Sequence, residues 1–121
     1  MQFDILIHGG RVVDGTGTPP VPRDVGIRGD RIEDVGELTS CAAKTRIDAT
    51  GRYVCPGFID THSHSDAYLL IEPSAPSKIH QGVTTEVVGN CGASAAPLTG
   101  DYHMPSDWRD KAYPGTWSSV A

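Results

Sequence analysis

In the first half of the chain, short apolar–polar alternations are separated by turn-forming residues. Between Phe3 and Val13 the alternation is loose. Ile5, Ile7 and the Val12–Val13 pair predict a strand, with a bulge or turn at Gly9–Gly10. The run from Asp14 to Pro20 is a loop by composition. It is not a phosphate loop, because no Gly-Lys-Ser/Thr follows it and no helix opens after it. Asp24 to Val35 predicts a hairpin: Val25 and Ile27 lie on one arm, Ile32 and Val35 on the other, and Gly29–Asp30 forms the turn. Arg28, Arg31, Glu33 and Asp34 fit its solvated face, and His8 reads as a partly exposed strand residue. Thr45 to Ala49 is a further short strand, followed by a Thr50–Gly51 turn. Tyr53–Val54–Cys55 then returns toward the core, with Cys55 expected to be a small buried hydrophobe. These strands read as antiparallel and as part of a β-sandwich.

From residue 56 the pattern changes to alternating strand and helix. Pro56–Gly57 turns the chain into a short apolar strand, Phe58–Ile59, which reads as buried on both faces. Polar residues crowd its C-terminal end, from Thr61 to Asp66. Leu69, Leu70 and Ile71 form an apolar patch broken by Pro73 and Pro76. Ser77 to Gln81 fits one or two helical turns before Gly82 stops them. Thr84 to Val88 is rich in β-branched residues and predicts a second strand. Strand, connection and strand in one direction make a βαβ unit with parallel strands. The end of the second strand, Gly89-Asn90-Cys91-Gly92, is thereby expected beside the end of the first.

The chemistry gathers at those two ends. His62 and His64 are one residue apart, and alternate residues of a strand share a face, so both imidazoles can meet one metal ion. The same pair on an exposed edge strand would do nothing. Asp60 and Asp66 can accept hydrogen bonds from the far ring nitrogens and fix the tautomers. A lone cysteine is by default a buried structural residue. Cys91 departs from that default because glycines flank it and it sits at the polar end of a strand. A thiolate beside two imidazoles suits zinc better than magnesium or calcium. A nucleophilic Cys–His pair is an alternative use of the same residues.

Composition narrows the classes. Hydrophobic residues make up 38% and charged residues 21%, which is a globular balance. A net charge of −5 without a basic stripe disfavours nucleic acid and anionic membrane. No apolar run is long enough to span a bilayer and no signal sequence opens the chain, so a cytoplasmic location is expected. Three cysteines at irregular spacing do not make a disulfide framework.

Three segments carry a family resemblance. Pro56-Gly-Phe-Ile-Asp-Thr-His-Ser-His64 resembles the first barrel strand of the metal-dependent amidohydrolase superfamily, and Asp4 to Gly17 resembles the opening of its small β-domain. Gln81-Gly-Val-Thr-Thr-Glu-Val-Val-Gly-Asn-Cys-Gly92 resembles the N-acyl-D-amino-acid deacylase (D-aminoacylase) branch. The resemblance implies an α/β fold with a small β-domain: a β-sandwich part over residues 1–55, then over 56–121 the first βαβ unit of an incomplete TIM-like barrel. A (β/α)₈ barrel needs about 200 or more residues. The 121 residues are therefore expected to be the N-terminal piece of a longer protein. The implied zinc ligands are His62, His64 and Cys91, supported by Asp60, Asp66 and Asn90.

The implied activity is zinc-assisted hydrolysis of the amide bond of N-acyl-D-amino acids, small-molecule substrates, with a carboxylate moving the proton from water to the leaving amine. The family's two further histidines and its catalytic aspartate match nothing in this chain. No catalytic residue is expected here and the fragment is expected to be inactive. His80 and His103 are not substitutes, and the segment from Thr99 to Tyr113, with Trp108 and Arg109, reads as a loop or lid. The alternatives are a cyclic amidase of the dihydroorotase or hydantoinase kind, or a non-catalytic metal-binding module.

Overall fold

A computed structural model describes residues 2–65 and 68–90, without the side chain of Leu70. The chain divides into two units, Met1–Pro56 and Gly57–Ala121.

The first unit is built from strands. β1 (Gln2–His8) is broken from β2 (Arg11–Val12) at the two glycines, and β3 (Val21–Pro22) follows the loop. β4 (Asp24–Arg28) and β5 (Arg31–Gly36) form the expected hairpin. β6 (Ala42–Asp48) and β7 (Tyr53–Val54) complete the unit. The strands form a four-stranded sheet in the order β5-β4-β1-β6 and a three-stranded sheet in the order β3-β2-β7.

The antiparallel expectation holds only in part. β1 runs antiparallel to β4 but parallel to β6, and β2 runs parallel to β7. The hairpin occupies one side of β1, so β6 must join the other. The connection over residues 37–41 links the two edges of the sheet, and Leu38 on it packs with Phe3 and Leu6 as the core. Phe3 and Leu6 are 1% and 0% exposed. Core packing also dictates a glycine: a Cβ at Gly26 would sit 2.5 Å from the Phe3 ring.

Asp24 anchors this crossover. Its carboxylate accepts the main-chain N–H of Gly9 (3.0 Å) and of Leu38 (2.9 Å), and the Thr39 hydroxyl (2.7 Å). Burial alone would raise its pKa. The hydrogen bonds from Thr39, Gly9 and Leu38, with the nearby charge of His8, outweigh that and hold it below the usual carboxylate value.

Strands of both sheets line an apolar groove, with Ile7, Val25, Ile27 and Ile32 from the four-stranded sheet and Val12 and Val54 from the three-stranded one. Ile32 is 66% exposed. Cys55 is exposed rather than buried, because it follows the edge strand β7 into the connection.

In the second unit, β8 (Phe58–Asp60) pairs in parallel with β9 (Val83–Glu86), as the strand–helix–strand pattern predicts. The crossover between them carries a 3₁₀ turn over Tyr68–Leu70 and a single-turn helix, α1 (Pro76–Ile79). Gly57 packs so closely on β9 that a Cβ there would lie 2.1 Å from Thr84 Oγ1. The expectation of burial on both faces is not met, since Phe58 and Ile59 are 59% and 63% exposed. A parallel pair is covered only when further layers pack on it, and β8 and β9 are the whole of their sheet among the described residues. Among the described residues, no helix is long and apolar enough to cross a membrane.

Candidate metal centre at the ends of the parallel strands

β8 ends at Asp60, so His62 and His64 lie in the irregular segment beyond the strand. The expectation that strand alternation aligns them is therefore corrected. The parallel ladder runs out where the Val87 N–H donates to the Asp60 carbonyl (2.8 Å), and past that point the pleat no longer sets side-chain direction. Both histidines are exposed.

Side chains take over from the ladder in holding this segment. Asp60 Oδ1 accepts the main-chain N–H of His62 at 3.1 Å. Asn90 Nδ2 donates to the Thr61 carbonyl at 2.8 Å, tying the end of the second strand to the residue before His62. Ser65 Oγ donates to Glu86 Oε2 and also touches the hydroxyl of Ser63. A cleft lined by Ser63, His64, Ser65, Tyr68 and Lys78 opens beside them.

Lys78 stands behind the segment. Its Nζ lies 2.7 Å from Asp60 Oδ2 and 2.7 Å from Glu86 Oε1. Asp60 and Glu86 are register partners across β8 and β9, so two carboxylates lie side by side with one ammonium between them. The hydrogen bond from Lys78, then that from the His62 N–H, holds the Asp60 carboxyl below its usual pKa. For Glu86 burial pulls upward, but Lys78 and Ser65 prevail and the carboxyl stays low. Asp60 and Glu86 in turn hold the lysine above its usual value. All three groups are thus charged at neutral pH.

Of the residues singled out by sequence, His62, His64, Asp60 and Asn90 fall in this region of the second unit. Cys91 and Asp66 lie outside the described residues, as do His103, Trp108 and Arg109. His80 is exposed at the C-terminal end of α1. Sequence reasoning missed Lys78, Glu86 and Ser65. One signal for Glu86 is present: a carboxylate within the otherwise uncharged run Val83 to Val88 needs a partner.

The donor set fits a borderline-soft divalent ion: two imidazoles follow β8, and a cysteine follows Asn90 in the chain. Among the described residues no three histidine, cysteine, aspartate or glutamate side chains already converge in metal-binding geometry.

Comparison with known proteins gives the family. The model of the amidohydrolase family matches residues 45–120. The chain is 54% identical over 96 residues to a D-aminoacylase of Alcaligenes xylosoxydans xylosoxydans, covering 79% of this chain and 20% of that protein. It is 51% identical over 96 residues to an N-acyl-D-glutamate deacylase of the same organism, with the same coverage. A D-aminoacylase crystal structure, described as defining a novel subset of amidohydrolases, superimposes with a TM-score of 0.83 at 48% identity. That match covers 96% of this chain and 25% of the other. The N-acyl-D-glutamate deacylase of Bordetella bronchiseptica, complexed with zinc and a phosphonate mimic of the tetrahedral intermediate, superimposes with a TM-score of 0.75 at 47% identity. That match covers 80% of this chain and 20% of the other. The chain thus spans about a fifth to a quarter of the relatives it matches.

Proposed function

The chain belongs to the amidohydrolase family, and on that premise we propose that it forms the N-terminal part of a zinc-dependent deacylase that hydrolyses N-acyl-D-amino acids. Residues 1–55 are its share of the small β-sandwich domain, and residues 56–121 begin the catalytic barrel. The observation that carries the reading is the segment from Thr61 to Ser65. It holds two histidines, leaves the C-terminal end of a parallel strand, and is tied to the neighbouring strand end through Asn90. Active sites of α/β barrels are built at that end of their strands. The identity to D-aminoacylase and to N-acyl-D-glutamate deacylase supports linear N-acyl-D-amino acids over cyclic amides as substrate.

His62 and His64 would hold the zinc with Cys91. Bound there, zinc supplies Lewis acidity that polarises the amide carbonyl and acidifies water. The chain's own work is to present these donors. Asp60 fixes the backbone at His62, Ser65 is held by Glu86 next to His64, and Asn90 holds Thr61. The proton-transferring aspartate and the remaining histidine ligands belong to other parts of the enzyme, so the 121 residues alone turn over no substrate.

A chimera tests the reading: this chain replaces the matching fifth of the Alcaligenes D-aminoacylase. The chimera is expected to contain zinc by elemental analysis and to release carboxylate from N-acetyl-D-amino acids but not from their L-enantiomers. Its His62→Ala variant is expected to lose both zinc and activity. A folded chimera with full zinc that does not discriminate enantiomers, or a His62→Ala variant with unchanged zinc content, overturns it.

A further inference from the structure

Asp60 and Glu86 end their two strands as direct register partners. Like charges placed opposite one another destabilise a sheet, so this juxtaposition persists only with a cation between them. That cation is the Lys78 ammonium. It comes from α1 on the crossover and reaches Asp60 Oδ2 and Glu86 Oε1 at 2.7 Å each. The other oxygen of each carboxylate is also engaged. Asp60 Oδ1 takes the His62 N–H, and Glu86 Oε2 takes the hydroxyl of Ser65, the residue after His64. A single ammonium orients two carboxylates, and each carboxylate grips the chain beside one histidine.

We infer that Lys78 is a positioning residue of the metal centre: it joins Asp60 to Glu86 and through them sets the segment that carries His62 and His64. The inference rests on the reading of those histidines as zinc ligands. Groups that orient ligands in this way are commonly worth 10–100-fold in metal affinity.

Charge and position make opposite predictions for this lysine. Removing a positive charge near a bound dication strengthens binding by Coulomb's law. Removing a brace from the ligand segment weakens it. The sign of the change therefore separates a brace from a bystander charge.

The test measures zinc affinity of the chimera with the Alcaligenes D-aminoacylase by competition with a chromophoric chelator. Cobalt(II) absorption serves as a second report on ligand geometry, and circular dichroism of the metal-free protein reports on the fold. Lys78→Met is expected to weaken zinc binding by about 10-fold or more and to alter the cobalt spectrum. Lys78→Arg, which can still bridge both carboxylates, is expected to recover most of the affinity. Unchanged or tighter zinc binding by folded Lys78→Met overturns the inference. If Lys78→Met does not fold, Lys78→Gln decides, since it also removes the positive charge: weaker zinc binding supports the brace, and unaltered or tighter binding overturns it. If the chimera binds no zinc, or binds it as well as its His62→Ala variant does, the metal reading itself fails and the inference falls with it.

Discussion

The side-chain amide of Asn90 donates to the main-chain carbonyl of Thr61 at 2.8 Å. Each of these residues stands one position before a proposed ligand, Thr61 before His62 and Asn90 before Cys91. The backbone ladder between β8 and β9 is already finished at this point, so Asn90 carries the strand pairing one step further. Asn90→Ala is expected to cost stability only about 1 kcal/mol or less, since the hydrogen bond is exposed. Its effect on zinc affinity is expected to be larger, about 10-fold weaker. Urea unfolding of the metal-free chain and chelator competition measure the two separately. A loss of stability with full zinc affinity would place Asn90 outside the metal centre.

Gly57 is required by space. Its position leaves a Cβ only 2.1 Å from Thr84 Oγ1 and 2.7 Å from Thr84 Cβ. Gly57→Ala is expected to push β8 away from β9 and destabilise the second unit by about 1–3 kcal/mol. Adding Thr84→Ala removes the two nearest side-chain atoms but not the Cβ, so rescue is expected to be partial. A double-mutant cycle read by urea unfolding checks this. Full additivity would show that the two positions do not touch.

Asp24 makes the first unit sensitive to acid. Its carboxyl pKa is lowered in the folded state, so the stabilisation is present above the unfolded value of about 3.8 and is lost as pH falls through the lower folded value. Asp24→Ala orphans the N–H groups of Gly9 and Leu38 and is expected to cost about 2–4 kcal/mol at neutral pH. Its stability is also expected to fall less steeply than that of the wild type below pH 4. Unfolding midpoints between pH 2 and pH 7 test both claims, and parallel pH curves for the two proteins would refute the second.

The groove lined by Val21, Ile32 and Val35 leaves apolar surface in water, and such surface promotes association. Ile32→Lys is expected to reduce self-association of the isolated chain, seen as lower light scattering at equal concentration. Stability should change little, because Ile32 is already 66% exposed. Unchanged scattering would move the sticky surface elsewhere, with the exposed Phe58 and Ile59 of β8 the next place to look.

What could be read from sequence was local. The break at Gly9–Gly10, the hairpin turn at Gly29–Asp30 and the parallel strand–helix–strand unit all follow from residue type and short periodicity, which act within a few positions, although the helix ends at Ile79 rather than running on to Gly82. The histidine pair was legible for the same reason. Its setting was less so: the strand ends at Asp60, because pairing lasts only as far as the partner strand supports it. The parallel partners of β1 and β2 were also out of reach. A strand's pattern shows which face is apolar, whereas its neighbour is chosen by competition among distant segments, here won by a connection that buries Leu38. Lys78 is the clearest case. By sequence it is one more cation on a short helix. Only the register that sets Asp60 beside Glu86 gives it two partners, 18 residues back and eight residues ahead, and that register is a property of the folded sheet.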